Sequence, residues 1–559
     1  MRREVGVVNK KVCSFPILFA LLALLIGTCA VVFPASAQAA PTSTGSITVS
    51  GTVASSYDAY QIFSANVVDG DSDAKVATDL AWASDAVRDA ALPVLHSAGM
   101  PNSQTTAQEA AEWLNADSHL TSALSAQLAR SLQSSDAVPL NAGTASELPC
   151  GYWLIVADDD SIAQGEAGTA PVMALVGGSA VTVKPKAATP KVVKHVLEDS
   201  TAAWQKAADA TVADDLYWRL SATVPAGLTA YDTYTVQFVD TMSAGLDPSK
   251  VAASMHVYVA AGADGDFDAV STSKDGRVGT DPARGWTDIT AQCGVSVDGK
   301  TFTVRTGDLI AALGGADAFT AGARVVAVYN APLNSACNHG IAKGNPNEVY
   351  LRYPRSPFAD QSGDAGFTRT PSDDACAYTW DLALTKRGSD GDKPLAGAVL
   401  SIADDRGRTL AADGTWDAEG KATVTTGEDG RVTVSGVDSG KLEVRELKAP
   451  KGYTAFEGTR SVTVKAEGLD VDQVAAAKPK LTITAESPLR ADSADGSTGS
   501  LEASLINTPT GTPPSITTGG FMPLTGDMAM YAVAAAAVAG AALIVVALLI
   551  KRGGGSHKE

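Results

Sequence analysis

Leu442-Glu443-Val444-Arg445-Glu446-Leu447-Lys448-Ala449-Pro450-Lys451-Gly452-Tyr453 is the stretch of this 559-residue chain from which its fold is read. Leu442, Val444 and Glu446 fall at every second position, the spacing that sends side chains to one face of a β-strand. An acid therefore ends an otherwise apolar row. Working outward, DLALTK at 381–386 puts Leu382 and Leu384 on the face of Lys386. At the far end, LEASLIN at 501–507 puts Leu505 on the face of Asn507. Between them, PLAGAVL at 394–400 is a further strand, and Asp429-Gly430 marks a hairpin turn. An amine, an acid and a carboxamide thus take inward positions on strands of one β-sandwich. Burial disfavours the charged form of both the lysine and the acid. A free amine beside a protonated acid and a carboxamide can serve as nucleophile, proton donor and electrophile.

The same residues resemble the collagen-adhesin B-type, prealbumin-like domain of Gram-positive surface proteins. Stretch 442–453 matches its so-called E-box, including the Ala-Pro-Lys-Gly-Tyr end. The resemblance makes Glu446 the acid that promotes an isopeptide bond between Lys386 and Asn507.

Composition bounds the rest. The formal charge of −19 argues against a nucleic-acid partner and suits a soluble, exposed surface. At this length several domains are expected, each large enough for its own core. Few aromatics (6%) and many small, turn-forming residues suit an extracellular β-rich chain. The fold class expected is mainly β: tandem Ig-like and prealbumin-like β-sandwiches, a mixed α/β N-terminal domain, and one C-terminal transmembrane helix. Six histidines lie scattered without HExxH, and no nucleophile motif stands out, so a hydrolase finds little support. Any amide formation would be a single-turnover maturation step, and the chain is not read as an enzyme. No cofactor or metal site is expected; Asp264, Asp266, Asp268 and Asp275 lack the glycine and closing glutamate of a calcium loop.

In chain order, residues 1–39 read as a signal peptide, with Arg2, Arg3, Lys10 and Lys11 before an apolar run and small residues at 35–39. Residues 41–186 form an N-terminal domain. It has strands near 46–50, 57–63, 152–156 and 180–183, a capping box at Thr106 and Glu109, and leucines 120, 124, 128 and 132 on one helical face. It ends in Val181-Thr182-Val183-Lys184-Pro185-Lys186, which resembles the pilin motif WxxxVxVYPK, with Gly177 and Lys184 in the places of Trp and Tyr. The resemblance makes Lys186 the amine that polymerises a pilus.

Residues 187–370 form a middle Ig-like domain of short strands separated by Asp-Gly turns. Lys194-His195-Val196, the phrase around Asp240 and the stretch GNPNEVYLRY resemble the middle domain of backbone pilins. That implies a Lys194–Asn347 bond promoted by Asp240. The family continues into Tyr-Ser-Asn-Asn-Pro where this chain has Tyr353-Pro354-Arg355-Ser356-Pro357, and an asparagine lost from there would mean no crosslink. Outside the leader four cysteines remain, Cys150, Cys293, Cys337 and Cys376. Cys293 and Cys337, both in the middle domain, are the preferred disulfide, with a Cys376 pairing left open.

Residues 371–510 form the prealbumin-like domain, and 511–521 a Pro/Thr/Gly spacer. Met522-Pro523-Leu524-Thr525-Gly526 resembles the LPxTG sorting signal, which implies sortase cleavage between Thr525 and Gly526. The uncharged run 528–550 is long enough for one membrane helix, and the basic tail 551–559 stays cytoplasmic. The whole resembles a sortase-assembled pilin of the backbone type. Sortase, other pilin subunits, peptidoglycan and host surface ligands are the partners this implies. The precursor would sit in the membrane, the product on the cell wall. A monomeric wall-anchored adhesin that uses the same domains as a stalk is the alternative, and Lys186 discriminates the two.

Overall fold

A computed structural model describes residues 43–71, 74–116, 118–185, 189–226, 228–262 and 285–511. The leader, Lys186, Asp264 to Asp275, the sorting motif with Thr525 and Gly526, and the apolar run 528–550 lie outside the described residues. Among the described residues no helix is long and apolar enough to cross a membrane.

The N-terminal part combines a sheet ordered Lys75–Trp82, Ser56–Asp69, Gly151–Ala157, Val172–Val176 with a smaller sheet ordered Ala145–Pro149, Thr44–Val49, Val181–Val183. Three helices, Asp85–Ser97, Ala107–Asn115 and Ser122–Leu132, pack beside the larger sheet. The Thr106–Glu109 capping box forms in full: the Thr106 hydroxyl accepts from Glu109 N, and the Glu109 carboxylate accepts from Thr106 N. Leu124, Leu128 and Leu132 are buried, whereas Leu120 precedes the helix and is exposed.

Two β-sandwiches follow. In the first, one sheet runs Ala203–Gln205, Val192–Glu198, Tyr217–Thr223, Arg324–Asn330, His256–Ala260, Trp286–Asp288. The facing sheet runs Ala207–Asp209, Asp373–Tyr378, Asn345–Pro354, Gln237–Met242, Thr301–Arg305, Gly294–Asp298. Apolar rows from both sheets meet in one core around Trp218, Phe238, Phe302 and Leu351. Strand Asp373–Tyr378 belongs to this facing sheet, so the changeover to the next sandwich comes at Thr379 and Trp380.

In the second sandwich, one sheet is ordered Arg431–Val437, Trp380–Gly388, Ser500–Pro509, Tyr453–Thr454, and the other is built around Val399–Ala403, Gly440–Lys448, Thr459–Glu467 and Lys480–Ala485. Trp380–Gly388 and Ser500–Pro509 run parallel, with Lys386 opposite Leu505 and Gly388 opposite Asn507. The Asp429-Gly430 turn forms, but it does not close a hairpin. Val424–Thr425 before it pairs with Val399–Ala403 of one sheet, while Arg431–Val437 after it pairs with Trp380–Gly388 of the other. The turn is a corner between sheets. Gly430 sits there at φ 73°, and an added Cβ would lie 2.9 Å from the Lys386 carbonyl oxygen, so glycine is required on both counts.

Two buried lysine–acid–asparagine sites

The pleat explains each site. In the second sandwich Lys386 continues the inward row of Leu382 and Leu384, and its backbone is held on both sides: Lys386 N donates to Gly430 O, and Lys386 O accepts from Leu395 N, each at 2.8 Å. Lys386, Glu446 and Asn507 are all buried. Lys386 Nζ lies 3.7 Å from Glu446 Oε1 and donates to Leu505 O at 3.1 Å. Asn507 Nδ2 donates to both Glu446 oxygens, at 2.9 and 3.1 Å. Phe456 N also donates to Glu446, fixing the carboxylate from behind. Removal from water pulls the Lys386 amine down to about 8, against the opposing pull of Glu446. The resemblance named all three residues, alternation supported their inward placement, and the fold brings them together.

In the first sandwich Lys194 sits between Val192 and Val196 in an inward row, and Asp240 between Phe238 and Met242. Asn347 opens the inward row of Val349, Leu351 and Tyr353 on the neighbouring strand. All three are fully buried. Lys194 Nζ contacts Asp240 Oδ2 directly and lies 5.4 Å from the ring centres of Trp218 and Tyr329. Desolvation lowers the Lys194 amine to about 8 and raises the Asp240 carboxyl, each opposed by the other's charge. Asn347 is the asparagine that the fold brings to this lysine and acid, and it lies ahead of the divergent Tyr353–Pro357 stretch.

Tyr329 was not singled out by sequence. Its hydroxyl accepts from Lys194 Nζ and from Asn347 Nδ2, both at 2.8 Å, and donates to Asp240 Oδ2 at 2.9 Å. Strand Arg324–Asn330 is buried on both faces over most of its length, so alternation could not flag one member of it.

The preferred Cys293–Cys337 disulfide is corrected: both are free thiols. Cys293 precedes the edge strand Gly294–Asp298, at the end where Gly294, Arg305, Gln237 and Arg352 line up across the sheet. Cys337 lies by Gly245 and Asn345, near the other end of Asn345–Pro354. Three strand spacings of about 4.8 Å alone exceed the ~7 Å that a disulfide spans between Cα atoms. Cys376 and Cys150 are free and buried as well.

With the geometry in place, comparison with known proteins finds a likeness in the second sandwich: residues 381–478 match the family described as SpaA, prealbumin-like fold domain. The prealbumin-like match contains Lys386 and Glu446, while Asn507 lies on the strand beyond it. A curated relative, the trypsin-resistant surface T6 protein of Streptococcus pyogenes serotype M6, is 30% identical over 143 residues. That alignment covers 24% of this chain and 24% of the relative, so the chain matches about a quarter of the relative's length. Similar solved structures include the T6 backbone pilin of S. pyogenes, at 16% identity and TM-score 0.45, covering 84% of this chain and 98% of that one. The major pilin SpaD of Corynebacterium diphtheriae gives 15%, TM-score 0.41, and the same two coverages.

Proposed function

We propose that the chain is a structural subunit of a surface pilus, of the type that forms the shaft, polymerised by a sortase and finally fixed to peptidoglycan. The observation that carries this reading is the pair of buried lysine–acid–asparagine sites in successive sandwiches. Each places an amine and a carboxamide on strands near the two ends of its module, and each keeps water out. An amide at each site would lock its module shut without an added enzyme. Three sequence features support the assembly half of the reading: the secretory leader, the 522–526 motif ahead of an apolar run and basic tail, and the amine of Lys186 after a rigid proline. Strand Val181–Val183 pairs in parallel with Thr44–Val49, which ties the segment leading to Lys186 to the body of the first domain. In this scheme the Thr525 carbonyl of one subunit is passed to Lys186 of the next, with Asp240 and Glu446 serving the internal bonds.

The test is a surface extract boiled in detergent and reductant. A ladder of covalent multimers is expected from the native chain, collapsing to monomer in Lys186→Ala. A ladder that persists in the variant moves the nucleophile to Lys184 or Lys191. A native protein that runs only as monomer overturns the pilus reading in favour of a wall-anchored adhesin.

A further inference from the structure

We propose that the Tyr329 hydroxyl is a catalytic residue of the first sandwich, relaying a proton from Asp240 to the departing nitrogen of Asn347, so that an aspartate and a tyrosine together do what the longer Glu446 does alone. The proposal rests on the reading that Lys194 and Asn347 become joined by an amide.

The two sites pose the same problem with different acids. In the second sandwich Glu446 reaches the Asn507 nitrogen directly with both oxygens. In the first, the acid is one methylene shorter, and the Asn347 nitrogen donates to Tyr329, with Asp240 also facing the Asn347 side chain. A phenol has one proton to give and two lone pairs to accept with. Tyr329 uses all three: it accepts from the attacking amine and from the leaving nitrogen, and donates to Asp240. The hydroxyl therefore touches the nucleophile, the acid and the leaving group together. Burial and the neighbouring Asp240 hold its proton on well above the usual range, so it acts as a hydroxyl and not as a phenolate. The ring is clamped edge-on by Phe302, with centroids 4.7 Å apart. Packing alone would be met by a phenylalanine there, without the cost of burying a hydroxyl.

The step balances without another reactant. Lys194 Nζ, as free amine, bonds to the Asn347 side-chain carbon as the bond from that carbon to Nδ2 breaks. The nitrogen of Lys194 gives one proton to Asp240. Asp240 gives one to Tyr329, Tyr329 gives its own to Nδ2, and ammonia leaves. Asp240 Oδ1 and Asn347 Oδ1 are both buried without a partner, which a proton on Asp240 directed at the carboxamide oxygen would reconcile.

The experiment uses the full secreted chain, purified in denaturant and diluted into native buffer, with intact mass and branched peptides followed over time. The wild type is expected to lose two ammonia molecules. Tyr329→Phe should form the Lys194–Asn347 link about a hundredfold more slowly while the Lys386–Asn507 link forms normally. Adding Asp240→Glu to that variant should restore the link, since the longer acid then reaches the nitrogen itself. Circular dichroism and the trypsin pattern check that the variants fold. A Tyr329→Phe chain that links at the wild-type rate overturns the proposal. So does a folded one that Glu fails to rescue, because the hydroxyl would then act through packing. A wild type without the Lys194–Asn347 link overturns the underlying reading instead, and the two failures are distinct.

Discussion

Lys386 is an amine with no water around it, one carboxylate 3.7 Å away and a carboxamide beyond that carboxylate. The amine that attacks in the proposed reaction is the neutral one, and burial pulls Lys386 down to about 8. Bond formation on refolding should therefore quicken by about tenfold per pH unit up to about 8 and level off above it, as read by the rate of mass loss. A rate that stays flat below pH 8 would show that loss of the Lys386 proton does not limit the step. Glu446→Ala should leave the Lys386–Asn507 mass loss absent while the sandwich still folds. Thermal unfolding of that variant should show a loss of about 2–4 kcal/mol, taking the closure of a long loop by a disulfide as the guide.

At the scale of elements, what was legible followed from periodicity. Lys386, Glu446 and Asn507 each end an apolar row at period 2, and a polar residue in an inward slot is visible without coordinates; Lys194 and Asp240 came from the resemblance alone. The Thr106–Glu109 box was legible for a local reason, being a hydrogen-bond pattern that spans four residues. Thr106→Ala should cost roughly 1 kcal/mol, measured as a lower urea midpoint for the N-terminal part. What stayed hidden depends on pairing between distant strands. Nothing local in Val424 to Val437 says that the Asp429-Gly430 turn parts two sheets and does not fold one ribbon. Tyr329 was hidden because its strand is buried on both faces over most of its length, and the cysteine pairing failed because membership of one domain says nothing of distance across its sheet.

The whole molecule is held at its junctions by polar contacts between successive parts. Between the N-terminal part and the first sandwich, Arg130 donates to Ala230 O and Pro357 O and pairs with Asp232. Between the sandwiches, the buried Asp209 carboxylate accepts from Trp380 Nε1 at 2.6 Å and from both N and Oγ of Ser439. Arg408 grips Asp214 with two nitrogens. Asp209→Ala leaves the buried Trp380 indole N–H without its acceptor, while Ser439 N keeps Asp438, and should cost about 1–3 kcal/mol. In calorimetry the two sandwiches of that variant should melt as separate transitions, where the native junction couples them. The parallel pairing of Trp380–Gly388 with Ser500–Pro509 has a mechanical consequence. In the proposed filament, a pull from both ends would tug one of these strands backward and the other forward, so the rungs between them would shear together and not peel apart singly. Once an amide joins Lys386 to Asn507, tension entering at Trp380 crosses that bond and leaves along 507–509. Residues 387–506 then bear no load, the hydrophobic core included. A stretched shaft would take up its extension at the junctions, and each sandwich would ride along as an inextensible bead.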